Sequence, residues 1–257
     1  MNLKSNYIFN LASKNQRTDG REFSDFRKIE IEENPIENSD GSARVRMGKT
    51  EVLVGVKLDV GEPFPDSKDE GILIVSAELS PLASAEFEEG PPREESIELA
   101  RIVDRGIRES GAIDVKKLCV KEGEKVWMVN IDIHIINHDG NLIDAAALAS
   151  IIALWNAKFP KYIEKEDRTE YGTKTDKELP MKYKPVAVTV YKTGKDFFLD
   201  PNIDEEEAST IRLTVISRDD DDICALQKGG TEPLTMEDVE KIFSLAVKKA
   251  AELRKLV

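Results

Sequence analysis

Three arginines, Arg101, Arg105 and Arg108, stand in the stretch EESIELARIVDRGIRES. On a helix turning about 100° per residue they fall within about 60° of arc. Leu99, Ala100, Ile102, Val103, Gly106 and Ile107 lie mostly on the opposite side. A guanidinium offers its N–H groups in a fork that fits a phosphate, so such a row suits a phosphodiester backbone. Arg101 and Arg105 are like charges one turn apart, at a cost of about 0.2–0.5 kcal/mol that a phosphate would relieve. The other reading is a solvated face: Glu98 precedes Arg101 by three, Asp104 precedes Arg108 by four, and Glu109 follows Arg105 by four. On helix mechanics alone the solvated face is the default.

A second candidate is the acidic run Asp200-Pro201-Asn202-Ile203-Asp204-Glu205-Glu206-Glu207. Asp200 with Asp204 or Glu206 supplies hard oxygen ligands of the kind Mg²⁺ takes. The local composition favours a solvated acidic turn instead. His134 and His138 fall on a strand and a turn, and a zinc site would need two more ligands. Gly229-Gly230 reads as a turn, and the run Asp219–Asp222 lacks the spacing of a calcium loop.

The elements that must hold these groups follow from periodicity. A first helix is expected over 6–16, then strands near 27–33, 43–48 and 51–60 with a hairpin turn at Gly48-Lys49, and a strand over 72–79. The acidic loop 86–95 leads into the arginine helix from about Arg93. Residues 126–136 alternate, with Trp127, Val129, Ile131, Ile133 and Ile135 on one face. Asp144 to Lys158 is rich in alanine and should be a buried helix with Asp144 as its N-cap. Four more strands (186–192, 195–200, 211–217, 223–227) precede a closing helix from Met236. Strands then helices, twice over, predict an α+β fold. The expected parts are an N-terminal helix and extension (1–26), a first half (27–165), a charged linker (166–184) and a second half (185–257).

The chain has 257 residues, enough for a sizeable core, and a formal net charge of −13. An acidic chain does not attract nucleic acid through its mean field, so any RNA must meet a local basic patch or a basic partner. Cys119 and Cys224 sit in apolar runs and read as buried free thiols of a reducing compartment. The longest small-and-apolar run, Ala145 to Trp155, falls short of the ~20 residues of a membrane span. A soluble, cytoplasmic protein without a membrane partner is expected.

Residues 17–29, RTDGREFSDFRKI, and 41–56, GSARVRMGKTEVLVGV, together resemble the opening of the RNase PH family, whose members degrade RNA from the 3′ end with phosphate as nucleophile. The segment GPPREESIELARIVDRGIRESGAIDVKKLCV resembles the corresponding helix of the non-catalytic ring subunit of archaeal exosomes. The likeness runs from Arg17 to about Leu253. It implies an RNase PH-like fold of two βαβ-type halves, the ribosomal protein S5 domain 2-like arrangement. Catalytic members grip phosphate at a helix start of the form Asp-x-Gly-Ser/Thr-Arg. Here Asp144 is kept, but Ala146, Ala147 and Leu148 stand where the glycine, the hydroxyl and the arginine are expected. Leu148 then reads as core. The family's metal-binding acid pair aligns with Asp200 and, six residues on, with Glu206 in place of Asp.

The resemblance therefore implies a ring of three heterodimers in which this chain alternates with a catalytic RNase PH-like paralogue. Arg101 and Arg105, with Arg108 as their neighbour, would contact single-stranded RNA at the partner's cleft. Phosphate and Mg²⁺ would belong to the partner's site and no cofactor to this chain. RNA-binding cap subunits would sit on one face. Arg44 and Arg46 are further basic residues that read as solvated sheet edge. The rival readings are an independently active phosphorolytic enzyme and a scaffold without RNA contact.

Overall fold

The computed structural model describes residues 3–163 and 168–257. A first helix, α1 (Leu3–Ala12), starts and ends a few residues earlier than its spacing suggested. The first sheet comprises β1 (Ile29–Glu33), β2 (Gly41–Met47), β3 (Thr50–Gly61), β4 (Ile72–Leu79), the short β5 (Cys119–Lys121) and β6 (Lys125–Asn137), in the order β1-β2-β3-β6-β4 with β5 pairing β6. Its pairs are antiparallel except β4 with β6. Parallel neighbours need a crossover, and α2 (Glu94–Glu109) provides it. In β6 the alternating residues Trp127, Val129, Ile131, Ile133 and Ile135 are all buried, so period two was a faithful signal.

The second sheet is antiparallel throughout, ordered β10 (Asp196–Leu199), β9 (Val186–Thr193), β11 (Ile211–Ser217) and β12 (Ile223–Gly230). Between the two sheets lies α3 (Leu142–Trp155), buried at every position from Ile143 to Leu154. A helix apolar all round belongs inside. Its alanines let it approach both sheets, and Gly41 on β2 completes the fit: a Cβ there would stand 2.3 Å from the Ala153 carbonyl oxygen. α2 packs beside α3 and presses on β11, where a Cβ at Gly106 would meet Ile216 at 2.8 Å. This close approach fixes which face of α2 is turned outward. On the far side of the second sheet, α5 (Met236–Leu253) starts with a reciprocal cap between Thr235 and Asp238 and buries Ile242, Ala246, Ala250 and Leu253.

The fold is α+β. The charged stretch read as a linker carries a strand: β8 (Arg168–Glu178) forms an antiparallel ribbon with β7 (Lys158–Ile163). The boundary expected at 165/166 lies outside the described residues. Cys119 and Cys224 are free but only half-buried, so the expected burial is not complete. No described helix is long and apolar enough to cross a membrane.

Candidate nucleic-acid interface and the remnant anion site

The three arginines project from the exposed side of α2, and its inward side buries Leu99, Ala100, Ile102, Val103, Gly106 and Ile107. The structure divides them by their partners. Arg108 is gripped by Asp104 at 2.7 and 3.1 Å and also donates to the Leu73 carbonyl at 3.2 Å. Arg101 and Arg105 are exposed and form no hydrogen bond or ion pair among the described residues. Their expected neutralisers do not serve them. Glu98 turns to Arg212 of β11 at 2.5 Å, and Glu109 forms no ion pair with Arg105. So α2 presents two uncompensated guanidiniums one turn apart, the arrangement that a polyanion relieves. Arg44 and Arg46 are paired with carboxylates, Arg44 with Glu32 at 2.8 Å and Arg46 with Glu51 at 3.0 Å.

A cleft of about 640 Å³ opens at the N-terminal end of α2. Glu78, Glu86, Glu88, Glu89, Glu94 and Glu95 line it, and its one basic residue, Arg93, is paired with Glu88 at 2.5 Å. A cleft of that sign repels a phosphodiester chain, so among the described residues the arginines of α2, and not this cavity, have the charge to suit one.

The remnant anion site lies at the start of α3. Asn141, in the left-handed region at φ 53°, is the N-cap, not Asp144 as its position suggested. The Asn141 backbone N–H donates to Glu206 Oε2 at 2.8 Å, and Glu206 Oε1 accepts from the Tyr191 hydroxyl at 2.9 Å. A carboxylate of this chain thus occupies the anion-attracting end of the helix. Leu148 packs in the core at 1% exposure, where it contributes about 1.5–3 kcal/mol, so its position faces away from any ligand. The residues here do not fit phosphate.

Nor is the acidic run a solvated turn. Ile203–Ala208 forms a short helix, α4, with a reciprocal cap between Asn202 and Glu205. The Asp200 side chain has 0% exposure and is held by Arg27, through its backbone N–H at 2.6 Å and its guanidinium at 2.7 and 2.9 Å, and by Arg21 at 3.2 Å. Arg17 meets Glu205 at 2.6 Å with both side chains buried. Guanidiniums surround Asp200, and both Glu206 oxygens are taken by the Asn141 N–H and the Tyr191 hydroxyl, so these two carboxylates do not fit Mg²⁺ either; no described group of His, Cys, Asp and Glu forms a metal cluster. Local sequence carried no signal for this, since Arg17, Arg21 and Arg27 stand 173 to 188 residues before the carboxylates they meet.

Asp144 is a buried cross-link. It accepts from the Thr189 backbone N–H at 3.1 Å and hydroxyl at 2.7 Å, and from Asn141 Nδ2 at 3.1 Å. Burial pushes its carboxyl up to about 7; the Thr189 and Asn141 hydrogen bonds pull back only part of that shift. The folded chain thus keeps a proton that the unfolded chain releases near 3.8. Stability from this group falls as pH rises from about 4 towards about 7 and is level above. Urea unfolding of wild type against Asp144→Asn at pH 4.5, 6 and 8 should show wild type losing ground as pH rises. A pH-independent difference would show that Asp144 is ionised throughout.

Comparison with known proteins gives the same outline. Residues 25–160 match domain 1 and residues 184–249 match domain 2 of the 3′ exoribonuclease family, RNase PH. The chain is 51% identical to the exosome complex component Rrp42 of Methanosarcina acetivorans, over 99% of this chain and 93% of that one. It superimposes on a chain of the Archaeoglobus fulgidus exosome, solved with RNA bound to the active site, with a TM-score of 0.91 at 46% identity, covering 98% of this chain and 97% of that one. A chain of an archaeal exosome core gives 0.87 at 43%, covering 98% and 95%. At 18% identity and a TM-score of 0.70, over 93% of this chain and 97% of the other, rice Rrp46 shares the fold. With both domain models matched in order and half its residues identical to a relative over nearly full length, the chain belongs to the RNase PH 3′ exoribonuclease family.

Proposed function

We propose that this chain is a ring subunit of an archaeal-type exosome that performs no phosphorolysis itself. Arg101 and Arg105 hold single-stranded RNA at the cleft of a catalytic RNase PH-like paralogue, in a trimer of heterodimers. Cap subunits with RNA-binding domains complete the assembly, and phosphate and Mg²⁺ act at the partner's site. The observation that carries this reading is a contrast within one chain. Two arginines of α2 are left without a hydrogen-bonded or ion-paired counter-charge among the described residues, while Glu206 closes the helix start at α3 and Arg21 and Arg27 occupy Asp200. The kinship with exosome complex components supports the ring role.

In this arrangement the chain contributes electrostatics and position. The uncompensated guanidiniums bind backbone phosphates and release counterions, which holds the 3′ end for the neighbour's chemistry. The purified chain with RNA, phosphate and Mg²⁺ should release no nucleoside diphosphate, and activity should appear on adding the partner. Phosphate-dependent release by the chain alone would overturn the non-catalytic role.

A further inference from the structure

Arg212 lies opposite Tyr191 of β9 and Gly229 of β12 in the register of the second sheet. Its guanidinium reaches out of that sheet to Glu98 on α2. Glu98 is its one hydrogen-bond acceptor among the described residues, and its Nε is buried without a partner. Gly229 leaves the room: a Cβ there would come within 2.7 Å of Arg212 Nε and 2.8 Å of Cζ. Burial opposes the Arg212 charge, but the hydrogen bond and charge of Glu98 outweigh it and raise the pKa. Glu98 also stands three residues before Arg101, a spacing at which opposite charges pair along a helix. Two cations therefore compete for one carboxylate, and the cation 114 residues away in sequence holds it.

We propose that Arg212 is a positioning residue for RNA binding: by drawing Glu98 against the second sheet it leaves the Arg101 guanidinium free for a phosphate. The proposal rests on the RNA-binding reading of Arg101 and Arg105. Arg212 itself acts through Glu98 and does not touch RNA.

The test measures binding of a fluorescent single-stranded oligoadenylate to the ring assembly containing this chain, across a salt series. In Arg212→Gln, Glu98 turns to Arg101 and one RNA phosphate goes unneutralised. Affinity should fall about fivefold at 0.1 M salt, and the log–log salt slope should flatten by about 0.7, the share of one phosphate on a single strand. Adding Glu98→Gln should restore both, which a general structural defect or a direct bond from Arg212 to RNA would not permit. Arg212→Lys, which keeps the cation, should bind near wild-type strength. Unchanged affinity in R212Q, or a double variant no better than R212Q, would overturn the proposal. Arg101→Gln separates it from the reading beneath it. If R101Q weakens binding and R212Q does not, the positioning role alone falls. If neither matters, the RNA-binding role of Arg101 falls and this proposal with it.

Discussion

Replacing Arg101 and Arg105 together by glutamate should cost the assembled ring more than about 100-fold in affinity for single-stranded RNA at 0.1 M salt. Each phosphate of a single strand left unneutralised flattens the log–log salt slope by about 0.7, which is roughly fivefold at that salt, so neutralising both arginines removes about 25-fold. Reversing the charges adds repulsion from two carboxylates on the same helical face. Degradation by the assembly should slow in parallel. Assembly and melting should be unaffected, because both side chains are exposed and form no hydrogen bond or ion pair among the described residues. Arg108 is the internal control. Its fork is already spent on Asp104, and a neutral pair releases few counterions, so Arg108→Gln should change RNA affinity by less than about twofold. Equal losses at all three positions would mean that the stripe acts as a diffuse field. No loss at Arg101 and Arg105 would leave this chain a scaffold.

The contrast among these arginines marks the limit of what the sequence could tell. Helical spacing placed all three on one exposed face, because the apolar residues between them had to turn inward. Spacing could not say which carboxylate each would take. That depends on Arg212, which arrives from another sheet, so the local pairing of Glu98 with Arg101 read as natural and was wrong. The same physics hid the acidic run. Around Asp200 the local composition is almost wholly anionic, which reads as solvated surface. Its counter-charges, Arg17, Arg21 and Arg27, come from 173 to 188 residues earlier. The ribbon of β7 and β8 failed for a different reason. Most of β8 is exposed on both faces, so it carries no apolar alternation to betray a strand. By contrast, β6 and α3 were legible because burial on one face, or on all faces, writes itself directly into residue type.

The cluster around Asp200 yields the second large effect, in stability. Asp200→Ala should destabilise the chain by about 3–5 kcal/mol at pH 7, the usual cost of removing one partner from a buried ion pair. The carboxylate accepts from Arg27, Arg21 and Asn141, and the Arg27 side chain is only 9% exposed. Its loss strands guanidiniums that water reaches poorly. Burial by itself would raise the Asp200 pKa, yet the Arg27 hydrogen bonds and charge win and hold it below the ordinary 3.8. Its contribution is therefore present above that value and is lost as the pH falls through the depressed pKa. Asp200→Asn keeps the shape but not the charge and should lose less than Ala. Urea unfolding with and without millimolar Mg²⁺ decides between a strut and a metal ligand. A strut predicts that D200A is strongly destabilised and that Mg²⁺ shifts neither protein. If D200A is as stable as wild type without metal, and only wild type gains stability on adding Mg²⁺, then Asp200 is a ligand and the arginines around it do not close the site.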